Sequence, residues 1–417
     1  MDFKRTKNLN QLIERKHNGM IKVVSGLRRC GKTYLLFKLF AEHLLESGVA
    51  EDHIIKIALD DIKYSELRDA LKLYNFIVGR IKDSEKYYIL LDEIQFVPDF
   101  AGLLNGLLHI SNADTYVTGS NSRFLSSDIV TEFRGRGDEV RLRPLTFAEY
   151  SEGVPGERQE LLDNYLIFGG MPGCAVIPEE ERKIQYLTML YQTIYLRDII
   201  EHVKIRNDEE FRELTEMLAS GIGGLTNPKK LSDTFLSVKG IKITHDTVVS
   251  YINSLVDSFL VERAQRYDIK GKKYISTPLK YYFGDLGIRN AALGFRQSEK
   301  NHLMENLIYN ELRYRGFSVD VGVVAKSVKN KNGNGTTVNY EVDFVANKGF
   351  KRFYIQSAYI LDDEEKRQQE ERSLDNINDN FAKVVISMYG TGRYYQNDKG
   401  YMMLSLEEFL KNEDLIN

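Results

Sequence analysis

Apolar runs of strand length alternate with helical periodicity along the first third of the chain. The strand-like runs are Ile21-Lys22-Val23-Val24, His53 to Leu59, Tyr87 to Leu91 and Ala113 to Thr118. After the first, Tyr34, Leu35, Leu36, Leu39, Phe40 and Leu44 recur at helical spacing. Runs apolar on both faces are what parallel strands covered by helices need, so the pattern predicts an α/β unit with a parallel sheet. Residues 145 to 205 read as helical, with Tyr165, Ile167, Tyr186, Met189, Leu190 and Tyr195 as expected core. Three more helices follow: Asp208 to Ser220, a short one started by Asn227-Pro228, and one capped by Thr244 that carries Val248, Val249, Ile252, Leu255, Val256 and Phe259. Two β-favouring runs, Leu260 to Gln265 and Lys273 to Ile275, bracket a turn. Beyond them the pattern predicts a helix over 299–317 with Leu303, Leu307, Ile308 and Leu312 inward, strands ending at Val345 and Ala358, and a solvated helix face from Asp362 to Arg372.

A chain of 417 residues is too long for one ordinary core, and 42% apolar with 28% charged residues suits several globular cores. The net charge of −3 excludes a uniformly basic nucleic-acid coat and leaves room for a local basic face. Two cysteines, Cys30 and Cys174, supply neither a disulfide framework nor a metal cluster, which fits a reducing interior. The first nineteen residues lack the apolar core of a signal peptide, and no window approaches eighteen apolar residues. A cytoplasmic protein with no membrane partner is the expectation.

Candidate chemistry sits at the ends of the strand-like runs. Gly26-Leu27-Arg28-Arg29-Cys30-Gly31-Lys32-Thr33 fits G-x-x-x-x-G-K-[ST] between a strand and a helix, the context a Walker A phosphate loop requires. Backbone N–H groups of 26–34, Tyr34 included, would wrap the phosphates of ATP at the positive end of the helix, with Lys32 on the β- and γ-phosphates and Thr33 on Mg²⁺. The run Tyr87 to Leu91 enters Asp92-Glu93, a Walker B pattern in which Asp92 holds the metal and Glu93 orients or deprotonates the attacking water. The fourth run ends in Gly119-Ser120-Asn121-Ser122, where Asn121, or else Ser120, is the candidate for touching the γ-phosphate or the water. Arg134 and Arg136, on a glycine-loosened loop, are alternative candidates for an arginine supplied to a neighbouring subunit, which implies a homo-oligomer.

The segments GLRRCGKT, ILLDEIQ, TGSNS and the RGRG loop, with Arg143 to Tyr150 (RPLTFAEY) and Phe168 to Pro172 (FGGMP), resemble the AAA-type bacterial and archaeal P-loop ATPases. The resemblance covers nearly the whole chain. It implies ATP binding, an α/β core with a helical lid, and a C-terminal half of a different kind and unassigned function. The expected domains are an ATPase domain over 1–150, a lid over 151–206, a winged helix over 207–280 and an α/β domain over 281–417. Three helices and a hairpin predict the winged helix. Lys239, Lys242, Lys270, Lys272 and Lys273 lie near it, but its third helix begins Thr244-His245-Asp246, poor in groove-reading cations. DNA contact and a packing role both stay open.

Helix-borne Glu305 and strand-borne Asp343 resemble two positions of the restriction-endonuclease-like, PD-(D/E)xK nuclease pattern, in which carboxylates hold Mg²⁺ against a scissile phosphate. The third element departs from it. Gln356 stands where the acid belongs and Ala358 where the lysine belongs, so a nuclease shape without cutting is the preferred reading. The function expected from all this is a Mg²⁺-dependent ATPase that couples turnover to a DNA or protein transaction through its C-terminal half. An ATP-loaded assembly switch is the alternative, and an ATP-regulated nuclease ranks below both.

Overall fold

The computed structural model describes residues 2–119, 136–205, 207–296, 299–329, 335–361, 364–390 and 394–416. They fall into two compact units, Met1–Leu145 with Asp257–Phe259, and Thr146–Val256 with Leu260–Asn417.

The first unit is built on a five-stranded sheet of order β2-β3-β4-β1-β5, with β1 (Ile21–Ser25), β2 (Ile54–Ala58), β3 (Tyr87–Asp92), β4 (Ala113–Thr118) and β5 (Gly137–Arg141). Every pairing is parallel. β1 and β3 are buried along their whole length, as strands covered on both faces must be; this accounts for the apolar run Tyr87 to Leu91 in β3, while in β1 the buried Lys22 is paired with Asp114. Leu73 and Ile77 from one flanking helix and Leu103, Leu104 and Leu107 from another close the core over β2 and β3. The carboxyl ends of β1, β3 and β4 therefore meet at one edge, where open parallel sheets place their ligands.

The second unit holds an eight-stranded sheet of order β12-β13-β11-β10-β9-β8-β6-β7. Its strands are β6 (Val261–Asp268), β7 (Lys273–Phe283), β8 (Ser318–Lys329), β9 (Gly335–Lys348), β10 (Lys351–Ala358), β11 (Ala382–Ser387), β12 (Tyr395–Gln396) and β13 (Met402–Ser405). The sheet differs from the expected domain plan. A boundary at residue 280 falls inside β7, because β6 pairs with β8 in parallel and draws the 261–283 hairpin into the C-terminal sheet. Hydrogen-bond continuity across Arg266–Asp268 and Val321–Val323 outweighs the punctuation that suggested a separate module.

The helices expected as a lid also group with the second unit. The amide of Asn290 donates to the carbonyls of Leu166 (3.1 Å) and Ile167 (2.8 Å), and Lys300 pairs with Asp163 at 3.2 Å. Tyr165, Leu190 and Tyr195 are buried there. Ile167 and Met189 are exposed, contrary to expectation, because this segment bends through the turn at Gly169-Gly170 and a π-helical stretch, Leu190–Leu196, and a single period cannot be projected across them.

The FGGMP turn has a long-range cause. Asp285 caps the helix Leu286–Ala292 through the Ile288 N–H (3.0 Å) and accepts the Gly170 N–H at 2.8 Å. Gly169 has φ +68°, and a Cβ on it would overlap the Asp285 carboxylate. Burial pushes the Asp285 carboxyl up to about 6, against the backbone N–H groups of Ile288, Gly170 and Gly287, which favour the ionised form. With the folded value above the usual 3.8, this group's stability contribution is full below about pH 4 and is lost as pH rises through about 6. The span corresponds to roughly 3 kcal/mol. Asp285→Asn is expected to flatten the stability slope in that window, checked by denaturant unfolding at its two ends.

Candidate functional site

Gly26 ends β1 with φ +141°, and a Cβ there would overlap the Leu142 carbonyl, so only glycine lets the loop press against the segment after β5. Gly31, at φ +103°, turns the chain into the helix that opens at Lys32. Leu27 and Cys30 are buried under the loop, while Arg28 is half-buried and Arg29 is exposed with φ +65°. The Cys30 Sγ lies 3.6 Å from the Leu142 carbonyl, and burial pushes the thiol up, away from nucleophilic use. Lys32 is 4% exposed and donates to the Gly26 and Leu27 carbonyls, each at 3.0 Å, so its ammonium sits inside the loop's own curve.

The two motifs meet by a direct bond. Thr33 Oγ1 donates to Asp92 Oδ2 at 2.7 Å, and the other Asp92 oxygen accepts from the Thr118 hydroxyl at the tip of β4. Burial raises the Asp92 carboxyl while the Thr118 and Thr33 hydroxyls pull it down. Glu93 follows in the left-handed region (φ +53°), its N–H held by Thr118 Oγ1 at 2.9 Å and its carboxylate by the Gln95 amide. Tyr34 turns its hydroxyl to Asp2 at 3.2 Å, leaving only its backbone toward the loop.

Three contributors were missed in the sequence. Thr118 hides inside a strand, and Gln95 follows the acids without a motif of its own. Arg5, buried with φ +49°, donates to the carbonyls of Cys30 (3.0 Å) and Arg143, tying the phosphate loop to the segment beyond β5. Only its arginine type near the start could have drawn notice. Ser120, Asn121 and Arg134 lie outside the described residues. Arg136 is exposed, and its carbonyl accepts the Ile21 N–H at 2.9 Å. That places it where β1 begins, a strand's length from the loop at the other end of β1.

Residues 18–151 match the AAA domain family, and residues 159–299 match a domain of unknown function (DUF8612). An uncharacterized protein of Haemophilus influenzae is 32% identical over 394 residues, 93% of each chain. This chain belongs to that protein's family, with an AAA-type P-loop ATPase domain in its N-terminal half. The uncharacterized protein MJ1544 of Methanocaldococcus jannaschii is 29% identical over 430 residues, covering 97% of this chain and 89% of its own. Among solved structures, the Walker-type ATPase PABY2304 of Pyrococcus abyssi covers 70% of this chain and 96% of its own at 15% identity, with a TM-score of 0.49. No helix among the described residues is long and apolar enough to cross a membrane.

Outside the AAA domain, the structure brings Glu305 and Asp343 to one place and adds a residue the sequence reading overlooked. Lys280, on β7 and 2% exposed, donates to Glu305 Oε1 at 2.9 Å and lies 2.7 Å from Glu341 Oε1. Tyr282 donates to the same Glu305 oxygen at 2.6 Å. Asp343 accepts the Ser357 N–H at 2.8 Å, and burial together with Glu305 raises its carboxyl well above the usual range. Burial alone would lower the Lys280 ammonium, but Glu305, Asp343 and Glu341 outweigh it and raise it. Gln356 is turned to other work, its amide donating to Glu370 at 3.3 Å and accepting from Ser373 at 3.1 Å. Among the described residues no group of three or more His, Cys, Asp or Glu side chains has the arrangement to hold a metal ion.

An ammonium thus compensates the carboxylates where the nuclease pattern calls for a divalent cation. Removing one partner of a buried charge cluster leaves the rest uncompensated. Lys280→Met is expected to cost about 3–5 kcal/mol in denaturant unfolding, and Glu305→Gln less, since Lys280 keeps Glu341.

Proposed function

We propose that the protein is a Mg²⁺-dependent ATPase whose turnover is coupled to a DNA or protein transaction through its second unit. The observation that carries this reading is the 2.7 Å bond from Thr33 to Asp92, which joins the helix after the phosphate loop to the end of the Walker B strand. A hydroxyl and a carboxylate meeting at a helix start beside a glycine-rich loop are a donor set suited to Mg²⁺. When bound, the ion would be held by Thr33 and Asp92 and would neutralise charge on the β- and γ-phosphate oxygens.

The remaining roles belong to the chain's own groups. Backbone N–H groups of 26–34 cradle the phosphates, and Lys32 exchanges the carbonyls of Gly26 and Leu27 for phosphate oxygens, which are far stronger acceptors of a charged donor. Glu93, fixed by Thr118 and Gln95, orients the attacking water and takes its proton. Asn121 is retained as the residue that touches the γ-phosphate or the water. Either Arg134 or Arg136 is retained as the residue offered to a neighbouring copy, which makes the working form a homo-oligomer. The distance of Arg136 from its own loop suits action on another subunit rather than its own.

Three helices, Asp208–Ser220, Pro228–Thr234 and His245–Asp257, followed by the β6–β7 hairpin support a winged-helix reading of the middle segment. The helix Lys300–Tyr314 with Glu305 and the C-terminal strands with Asp343 support a nuclease-like shape, and Lys280 among these carboxylates speaks against metal-dependent cutting. Glu93→Gln separates chemistry from binding. It is expected to lower ATP hydrolysis by about 10²-fold or more while the nucleotide-induced rise in Tm persists. Hydrolysis at the parental rate would overturn the role given to Glu93, and a parent that does not hydrolyse ATP would overturn the whole reading.

A further inference from the structure

The β8–β9 hairpin carries more strand than the sheet uses. Among the described residues, β10 pairs with β9 only over Phe344 to Lys348, and β6 pairs with β8 only over Val321 to Val323. The β8–β9 ladder continues from Val324↔Tyr340 to Lys329↔Gly335. Six residue pairs therefore stand as a two-stranded ribbon, about 20 Å long at the usual strand rise. Such ribbons are at best marginally stable in water. Val324 is buried at its base, but further out Lys326, Ser327 and Thr336 to Asn339 are exposed.

Its composition is not that of an ordinary solvated hairpin. Residues 324–329 and 335–340 contain two lysines, a serine, two threonines and an asparagine, and no acid. The parallel β6–β8 pairing brings a second basic element to the same end. The Ile269 N–H donates to the Val323 carbonyl at 3.0 Å, and Lys270 donates to the Ala325 carbonyl at 2.8 Å, so the β6–β7 turn rests on the ribbon's base. Lys270, Lys272 and Lys273 are exposed there. Of the acids nearby, Glu341 is paired with Lys280 (2.7 Å), and Asp268 and Asp320, which hold the Gly271 N–H (2.9 Å) and the Tyr274 hydroxyl (3.2 Å), are outnumbered by Lys270, Lys272, Lys273 and Lys326. On a chain of net charge −3, this end is a local concentration of positive charge.

We propose that the ribbon and the adjoining turn form a docking surface for double-stranded DNA, with the ribbon in the major groove and the lysines on flanking phosphates. The groove of B-DNA admits a two-stranded β-ribbon, and lysine, serine, threonine and asparagine are the side chains that contact phosphates and base edges. The deep, narrow groove of A-form RNA does not admit one. The inference rests on reading the second unit as the partner-binding half, and it moves the contact from the cation-poor helix His245–Asp257 to the sheet.

Binding is measured by fluorescence anisotropy with the full-length protein and a DNA duplex of about two helical turns, over a salt series. The Lys272→Ser/Lys273→Ser/Lys326→Ser variant is expected to bind at least about tenfold more weakly, with a salt slope shallower by about 2–3, near 0.9 for each phosphate no longer neutralised. Its ATP turnover and Tm should match the parent, which excludes misfolding. Parent and variant binding alike, no binding by the parent at low salt, or equal affinity for a single strand or for polyglutamate would each overturn the inference. Lys32→Ala tells this failure from that of the ATPase reading, because it should lose hydrolysis and keep duplex binding.

Discussion

Lys32→Ala is expected to remove the nucleotide-induced rise in Tm and to reduce ATP hydrolysis by about 10²–10³-fold, the usual loss when a preorganised donor to developing charge is deleted. The ammonium is 4% exposed and sits within the curve of its own loop at 3.0 Å from two carbonyls, so it is already desolvated and aimed where a triphosphate would lie. A parent bathed in nucleotide at about one hundred times its Kd should gain about 2.7 kcal/mol of stability. The variant should gain close to none. Its fold should survive, because Gly26 packs against the Leu142 carbonyl and Arg5 holds the Cys30 carbonyl, neither contact involving Lys32. Thermal melts with and without magnesium-nucleotide, paired with a phosphate-release assay, check both halves. A variant that still shifts and still turns over would remove the phosphate site from this loop.

The second large effect is on stability and belongs to the second unit. Gly287→Ala is expected to destabilise the second unit by roughly 3 kcal/mol or more, a loss at the upper end for overpacking because the obstacle is backbone. A Cβ on Gly287 would overlap the Phe168 carbonyl and stand 3.0 Å from a methyl of Leu187. Neither the helix Leu286–Ala292, capped by Asp285, nor the turn at Gly169-Gly170, bonded to the same carboxylate, can retreat without breaking the other. For a unit of this size that loss corresponds to a drop of about 6–12 °C in Tm. An exposed helical glycine with no atom near its Cβ position, Gly79, is the control and should not lose stability on substitution by alanine, which the helix favours.

These two cases show what could be read from the chain. The phosphate loop was legible because its chemistry is contiguous: a strand, two glycines at fixed spacing, a lysine and a threonine, all within the span of local backbone geometry. The Walker B strand was legible for the same reason, its burial written as an unbroken apolar run. The FGGMP turn was visible as a motif but not as a requirement, since the carboxylate that demands glycine at 169 lies at Asp285, more than a hundred residues on. Thr118 was passed over because a threonine in a strand ordinarily signals β-propensity alone, and Arg5 because nothing near it in sequence marks its partners.

The C-terminal half illustrates the limit most clearly. Glu305, Asp343 and Gln356 could be aligned with a pattern, and the missing lysine of that pattern could be seen to be missing. That Lys280 fills the space among the carboxylates could not be seen, because it arrives on β7, a strand that joined this sheet only through its pairing with β6 and that of β6 with β8.

By itself the sequence determined the order of local elements, the phosphate loop and the acids that face it, because hydrogen bonding along a helix or a turn reaches only a few residues. The tertiary structure alone decided which charges offset one another, where the sheet of the second unit ends and which glycines are obligatory. Coulomb attraction and steric exclusion act through space, between segments whose separation along the chain carries no trace of their contact.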